Sequence, residues 1–142
     1  MGLDFSHGDA HWSYGGFMWF RKRLAKEIGV NIDEMVGFAP SPYLAEISAE
    51  DWATLGFGSK PTRFNTSWDE VNDAIVPLLR HSDCDGDLSV EECRAIAPRL
   101  RELVQGWSDD PELDEAFDKK QALLLADGLE QCVRQGQRLE FC

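Results

Sequence analysis

Twelve residues in the middle of the chain, His81 to Glu92, read HSDCDGDLSVEE, and they constrain everything beside them. Aspartates at positions 83, 85 and 87 alternate around Gly86. That pattern suits a turn: short acidic side chains bind nearby backbone N–H groups, and glycine accepts a positive φ. The stretches on either side must therefore be separate elements, and both carry apolar residues at helical spacing. Before the turn, Trp68, Val71, Ile75, Leu78 and Leu79 share a face, opened by Ser67 and Glu70 at capping-box spacing. The spacing predicts a helix from about Thr66 or Ser67 to Leu79, kinked or tightened at Pro77. After the turn, Ser89 and Glu92 repeat the capping-box spacing, and Val90, Cys93, Ala97, Leu100, Val104 and Trp107 recur at successive helical steps. Pro98 predicts a bend or restart in that second helix.

Helix, loop of twelve and helix follow one another as in an EF-hand, and register decides the match. With Gly86 at loop position 6, His81 takes position 1, Asp83 3, Asp85 5, Asp87 7, Ser89 9 and Glu92 12. A start at Asp83 puts Leu88 at position 6 and Arg94 at position 12, and it fails on both. Residues of about 67–104 thus resemble a single EF-hand. The resemblance implies Ca2+ held by the carboxylates of Asp83, Asp85 and Glu92, the backbone carbonyl of Asp87 and an oxygen of Ser89. The departure is His81, where that family has aspartate. An imidazole nitrogen is a poor ligand for a hard cation, so calcium binding should be weakened or lost. EF-hands also normally occur in pairs, and the sequence shows no second loop.

The same residues admit two other readings. One is a polar turn whose aspartates cap helix ends with no metal. The other is zinc: His7 and His11 are spaced H-x-x-x-H, and His81 with Cys84 H-x-x-C. Brought together, those four side chains make a tetrahedral Zn2+ site, in which Asp9 or Asp83 could replace one member.

Elsewhere the pattern is mainly helical. GLDFS near the start and RLEFC at the end alternate like short strands, and their pairing would tie the two segments together. Phe17, Phe20, Leu24 and Ile28 predict a first helix that begins between Ser13 and Gly16 and stops at Gly29. A short helical piece fits Ile32 to Val36, and another fits after Ser48 with Trp52 and Leu55 inward. Pro40, Pro42, Gly56, Gly58 and Pro61 punctuate a loop-rich stretch. A last helix starts near the Asp110 cap with Pro111 in its first turn, buries Ala122, Leu125, Leu129 and Val133, and closes at Gly136. The aromatic run His11, Trp12, Tyr14, Phe17, Trp19 and Phe20 is too dense for one buried face. Trp12, Tyr14 and Trp19, with Arg21 or Arg23 for a phosphate, offer a platform for a ring-containing ligand, a nucleotide or a protein partner.

At 142 residues and 43% hydrophobic, the chain fits one globular domain spanning 1–142. Its formal charge of −12 argues against direct binding to nucleic acid. Residues 1–30 carry Arg21, Lys22, Arg23 and Lys26 against Asp4, Asp9 and Glu27, so the acidity lies beyond them. It is densest at Asp109, Asp110, Glu112, Asp114, Glu115 and Asp118. No apolar run reaches membrane-span length and no secretory signal opens the sequence, which points to a cytoplasmic protein with reduced thiols at Cys84, Cys93, Cys132 and Cys142. No nucleophile elbow, Walker loop or dinucleotide fingerprint is present.

Taken whole, HGDAHWSYGGF, HSDCDG and LEFC resemble segments of small proteins from bacterial and bacteriophage genomes, a likeness that implies a phage-type role and no particular activity. The expectation is a mainly α domain with an EF-hand-like helix-loop-helix: a non-enzymatic acidic binding protein that acts through a protein partner. A phage-type inhibitor that mimics nucleic acid or binds a nucleotide is the alternative, as is a zinc-dependent hydrolase using His7, Asp9, His11 and His81.

Overall fold

The first helix shows how local signals place the elements. Ser13 Oγ accepts the Gly16 N–H at 2.9 Å and caps α1 (Tyr14–Glu27), which ends ahead of Gly29 at φ +74°. The computed structural model describes residues 2–38, 48–54, 65–82 and 84–142. Leu55, the Pro40–Pro61 punctuation and Asp83 therefore lie outside the described residues. In chain order β1 (Gly2–Leu3) and β2 (Trp12–Ser13) precede α1, and α2 (Ala49–Thr54), α3 (Val76–Leu79), β3 (Asp87–Leu88), α4 (Val90–Val104), α5 (Asp114–Gln135) and β4 (Leu139–Glu140) follow it. Short 3-10 turns occupy Ile32–Glu34 and Trp68–Glu70. The fold is mainly α, as expected, with short two-stranded pairings. No helix among the described residues is long and apolar enough to cross a membrane.

The helix expected over 67–79 is not continuous. Ser67 Oγ accepts from Asp69 N–H, so the Ser67/Glu70 capping box gives way to the 3-10 turn, and only α3 remains helical before the loop. Proline explains the break: in an uninterrupted helix the Pro77 ring would meet the carbonyl of Asp73 and leave it without a donor. In α3 the proline sits in the first turn, where an N–H is not needed. Asp73 instead turns its side chain to the backbone, accepting from Ile75 N–H at 3.0 Å, and binds Arg99 of α4 through Oδ2 at 2.8 Å.

Downstream the expectations hold more closely. The Ser89–Glu92 capping box is formed on both sides, and α4 runs through Pro98 without a restart. The last helix starts later than expected: Asp110 Oδ1 accepts Glu112 N–H in a turn, and α5 begins at Asp114. It closes at Gly136, whose φ is +64°. The most extensive helix contact is α4 against α5, and Cys93, Ile96, Leu100, Leu125, Leu129 and Cys132 are fully buried.

The first and last segments do pair. Phe5 bridges Phe141 in antiparallel fashion, flanked by Ser6 N–H to Glu140 O and Cys142 N–H to Asp4 O, each at 2.9 Å. The pattern alone did not anticipate that β4 also pairs with β3, Asp87 opposite Glu140 and Leu88 opposite Leu139. Residues 139–142 thus lie between the loop and the N-terminal segment. That segment reaches α5 at a close glycine contact: a Cβ on Gly128 would stand 2.5 Å from the His7 carbonyl. Gly128→Ala gains about 1 kcal/mol of helix propensity, yet the backbone clash should make the substitution destabilising in urea unfolding.

Two aspartates set opposite pH dependences. Hydrogen bonds from Arg99 hold the Asp73 carboxyl below its ordinary value despite its burial. Its contribution is therefore present above about pH 4 and lost as pH falls through the folded value. Burial raises the Asp118 carboxyl, outweighing the Trp12 and Arg23 bonds that lower it. Its contribution is present below about pH 4 and lost as pH rises through that raised value. Asp73→Asn should lower the melting temperature at neutral pH, with the penalty fading below about pH 4. Asp118→Asn should cost less at neutral pH; thermal scans across that range check both.

Candidate functional site

The loop is built outward from His81, the residue that follows Arg80 at the end of α3. Its carbonyl accepts from Nη1 of Arg21, a side chain only 2% exposed. Its Nε2 lies 2.9 Å from the Asp87 carbonyl and its Nδ1 2.9 Å from the Ser82 carbonyl. The imidazole stacks on the Phe141 ring, centroids 3.7 Å apart and planes 21° from parallel. On the loop side it lies against Gly86, where a Cβ would fall 3.0 Å from His81 Cε1 and where φ is +98°. Glycine answers both demands at once.

Other described loop residues are also engaged. Ser82 Oγ donates to Asp85 Oδ1 at 2.8 Å and accepts from the Cys84 and Asp85 N–H groups, which makes a compact polar turn. Asp87 Oδ2 accepts from Arg138 at 3.2 Å. Glu92 Oε1 accepts from Ser89 N–H at 2.9 Å, and Ser89 Oγ accepts from Glu92 N–H at 3.1 Å. A groove of about 520 Å³ runs along the loop, lined by Pro77, Arg80, His81, Asp85, Asp87 and Glu92. A second, of about 550 Å³, lies beyond Arg80–Ser82 against Arg21, Val36, Phe38 and Trp68.

The four proposed zinc ligands are not brought together. His7 donates from Nε2 to Gln137 Oε1 at 2.8 Å, and its Nδ1 accepts from Ser6 Oγ at 2.8 Å. His11 donates to Asp4 Oδ1 at 2.7 Å. Cys84 is exposed beside Ser82, while His81 is turned to its two carbonyls. Among the described residues no three His, Cys, Asp or Glu side chains are grouped to hold a metal. The His7, Asp9, His11 and His81 set proposed for hydrolysis is separated with them: each ring is directed to its own hydrogen-bonding partners.

The aromatic platform is corrected by burial. Trp12 is fully buried, stacked on Phe20 at 4.5 Å and donating to Asp118 Oδ1 at 3.1 Å. Arg21 lies inside, its guanidinium 4.8 Å from the Phe17 ring and 5.1 Å from Phe38. Aromatic faces and the His81 carbonyl suit a planar cation, so Trp12 is lost to an outer platform and Arg21, nearly buried, meets only the floor of the second groove. Tyr14 is half-buried, and Trp19 alone of the proposed four is open, at 53%, with Lys22 Nζ 4.9 Å over its ring.

What sequence reasoning missed lies at the start of α5. Leu113 and Phe117, four residues apart, are 48% and 51% exposed. Their signal was available: neither falls on the Ala122–Leu125–Leu129 stripe, so neither has a core position waiting for it. Of the acidic run around them, Asp118 is buried against Trp12 and Arg23, and Glu115 accepts from Ser108 N–H at 2.6 Å. Asp109, Asp110, Glu112 and Asp114 remain exposed. Searches against protein-family models, curated proteins and solved structures returned no match to the chain.

Two outcomes follow from this geometry. Gly86→Ala must hold alanine at a left-handed φ and against the His81 ring, so it should cost about 1–2 kcal/mol or more in denaturant unfolding. Burial pushes the Cys93 thiol up and the Cys132 thiol to about 11, which disfavours the reactive thiolate. A thiol reagent should therefore label Cys84 and Cys142 in the native protein, and Cys93 and Cys132 only once it unfolds.

Proposed function

We propose that this chain is a non-catalytic binding protein that docks a basic, partly apolar protein segment on the start of α5. The carrying observation is the pair Leu113 and Phe117, about half exposed one helical turn apart and flanked by the exposed Asp109, Asp110, Glu112 and Asp114. Large apolar side chains held in solvent mark a surface that gains by being covered. The carboxylates around them select a cationic partner and steer its approach, in keeping with the formal charge of −12.

The same pair weighs against phosphate mimicry as the main role, because a groove shaped for a nucleic-acid backbone has no use for leucine and phenylalanine. Trp19 on α1 is a separate exposed aromatic, with Lys22 Nζ 4.9 Å over its ring. In this reading the loop is architecture, setting where α3, α4 and β4 meet.

A synthetic amphipathic helix with lysines on one face and leucines on the other is the probe, read by fluorescence anisotropy against a lysine peptide of equal charge. The amphipathic peptide should bind more tightly and weaken with salt. Leu113→Ala with Phe117→Ala should lower its affinity by roughly tenfold or more, without changing the lysine peptide's. Equal binding of the two peptides, unchanged by the double substitution, would overturn the proposal.

A further inference from the structure

The loop's resemblance to an EF-hand raises a question that its own hydrogen bonds answer. A calcium loop gathers oxygens around one point: carboxylates from positions 3, 5 and 12, a backbone carbonyl from 7 and an oxygen at 9. Among the described positions of this loop, those oxygens are turned elsewhere. The Asp87 carbonyl faces His81 Nε2 at 2.9 Å, and Asp85 Oδ1 takes the Ser82 hydroxyl at 2.8 Å. Ser89 Oγ and Glu92 Oε1 are committed to each other's backbone N–H groups in the capping box of α4. The described donors are not arranged for calcium.

We infer that the imidazole of His81 closes this loop in the place a bound cation would take, and that the loop holds its shape without calcium. Four contacts carry the inference. The ring bridges the loop, from the Ser82 carbonyl beside it to the Asp87 carbonyl six residues on. Carbonyl oxygens only accept, so the ring can act toward them only as an N–H donor. Its flat face is filled on one side by Phe141, and the loop beside it is held at Gly86, where no Cβ intrudes.

The closure extends past the loop. Phe141 N–H donates to the Gly86 carbonyl at 2.9 Å, and the backbone carbonyl of His81 is held by the buried Arg21. One residue therefore joins the end of α3, the loop, α1 and the strand that carries β4. Aspartate at position 81 could neither stack on Phe141 nor donate to Asp87, whereas it would restore the missing first carboxylate. The residue that spoils the calcium loop is the one that makes it self-sufficient.

The test pairs calcium titration with amide exchange, using the whole chain. Wild-type protein moved from EDTA into millimolar CaCl2 should show no rise in melting temperature and no binding heat in calorimetry. His81→Asp should gain calcium-dependent stabilisation of several degrees. His81→Ala should speed exchange of the Phe141 amide by at least tenfold, while amides in the middle of α5 keep their protection. Calcium-dependent stabilisation of the wild type would overturn the inference. So would a Phe141 amide that exchanges at the wild-type rate in His81→Ala. If His81→Ala does not fold, the wild-type titration still decides. None of these readouts involves Leu113 or Phe117.

Discussion

Phe141 is the contact on which the two halves of this fold meet. Its ring stacks on His81 at 3.7 Å, meets Phe5 edge-on at 4.9 Å and Phe17 at 6.1 Å. Its backbone bridges Phe5 on one side and reaches Gly86 on the other. Two-residue strands are too short to stand alone in water. They persist here because every one of them is stitched to a strand or bridge that is itself packed on α1 or α5. The strand pairings are thus a consequence of helix packing, and the loop inherits its rigidity from them.

The polar interior obeys the same economy of partners. Trp12 is wholly buried and needs an acceptor for its N–H; Asp118 supplies it at 3.1 Å and is itself reached by Arg23. Trp107, 4% exposed, donates to Glu27 at 2.9 Å, and its carbonyl takes Lys119. A buried indole N–H left without a partner costs roughly 1–3 kcal/mol, so Trp12 and Trp107 fix the placement of Asp118 on α5 and Glu27 on α1. Part of the acidic stretch between α4 and α5 is therefore structural, and only the remainder faces outward. Charge read along the sequence cannot make that division, because it depends on which helix arrives opposite.

How much was legible differs from element to element, and for physical reasons. Capping oxygens act over three residues, so Ser13, Ser48 and Ser89 announce their helices correctly, as Gly136 announces the end of α5. Proline acts locally too, but its effect depends on what competes with it. Pro77 stops a helix where Asp73 can turn its carboxylate to Ile75 N–H and to Arg99, whereas α4 carries Pro98 on its exposed side while its buried face packs on α5. The aromatic run was correctly seen as too dense for one face, but which rings went inside was not readable. Trp12 precedes α1 and is drawn in by Asp118, a residue far away in sequence. The zinc grouping failed for the converse reason: H-x-x-x-H and H-x-x-C were both present, and no packing brought them together.

The twelve residues from His81 to Glu92 divide along that line. Their order alone determines a glycine turn ahead of a capped helix, because φ preference and capping are decided by immediate neighbours. It also determines that position 81 lacks a carboxylate. The sequence could not show what the imidazole does in its place. That depends on Phe141 arriving over one face of the ring and on the Asp87 carbonyl being held opposite its Nε2. Both are consequences of β4 docking on the loop, a contact more than fifty residues distant along the chain. The energy that selects it comes from burying the aromatic cluster, which no local pattern encodes.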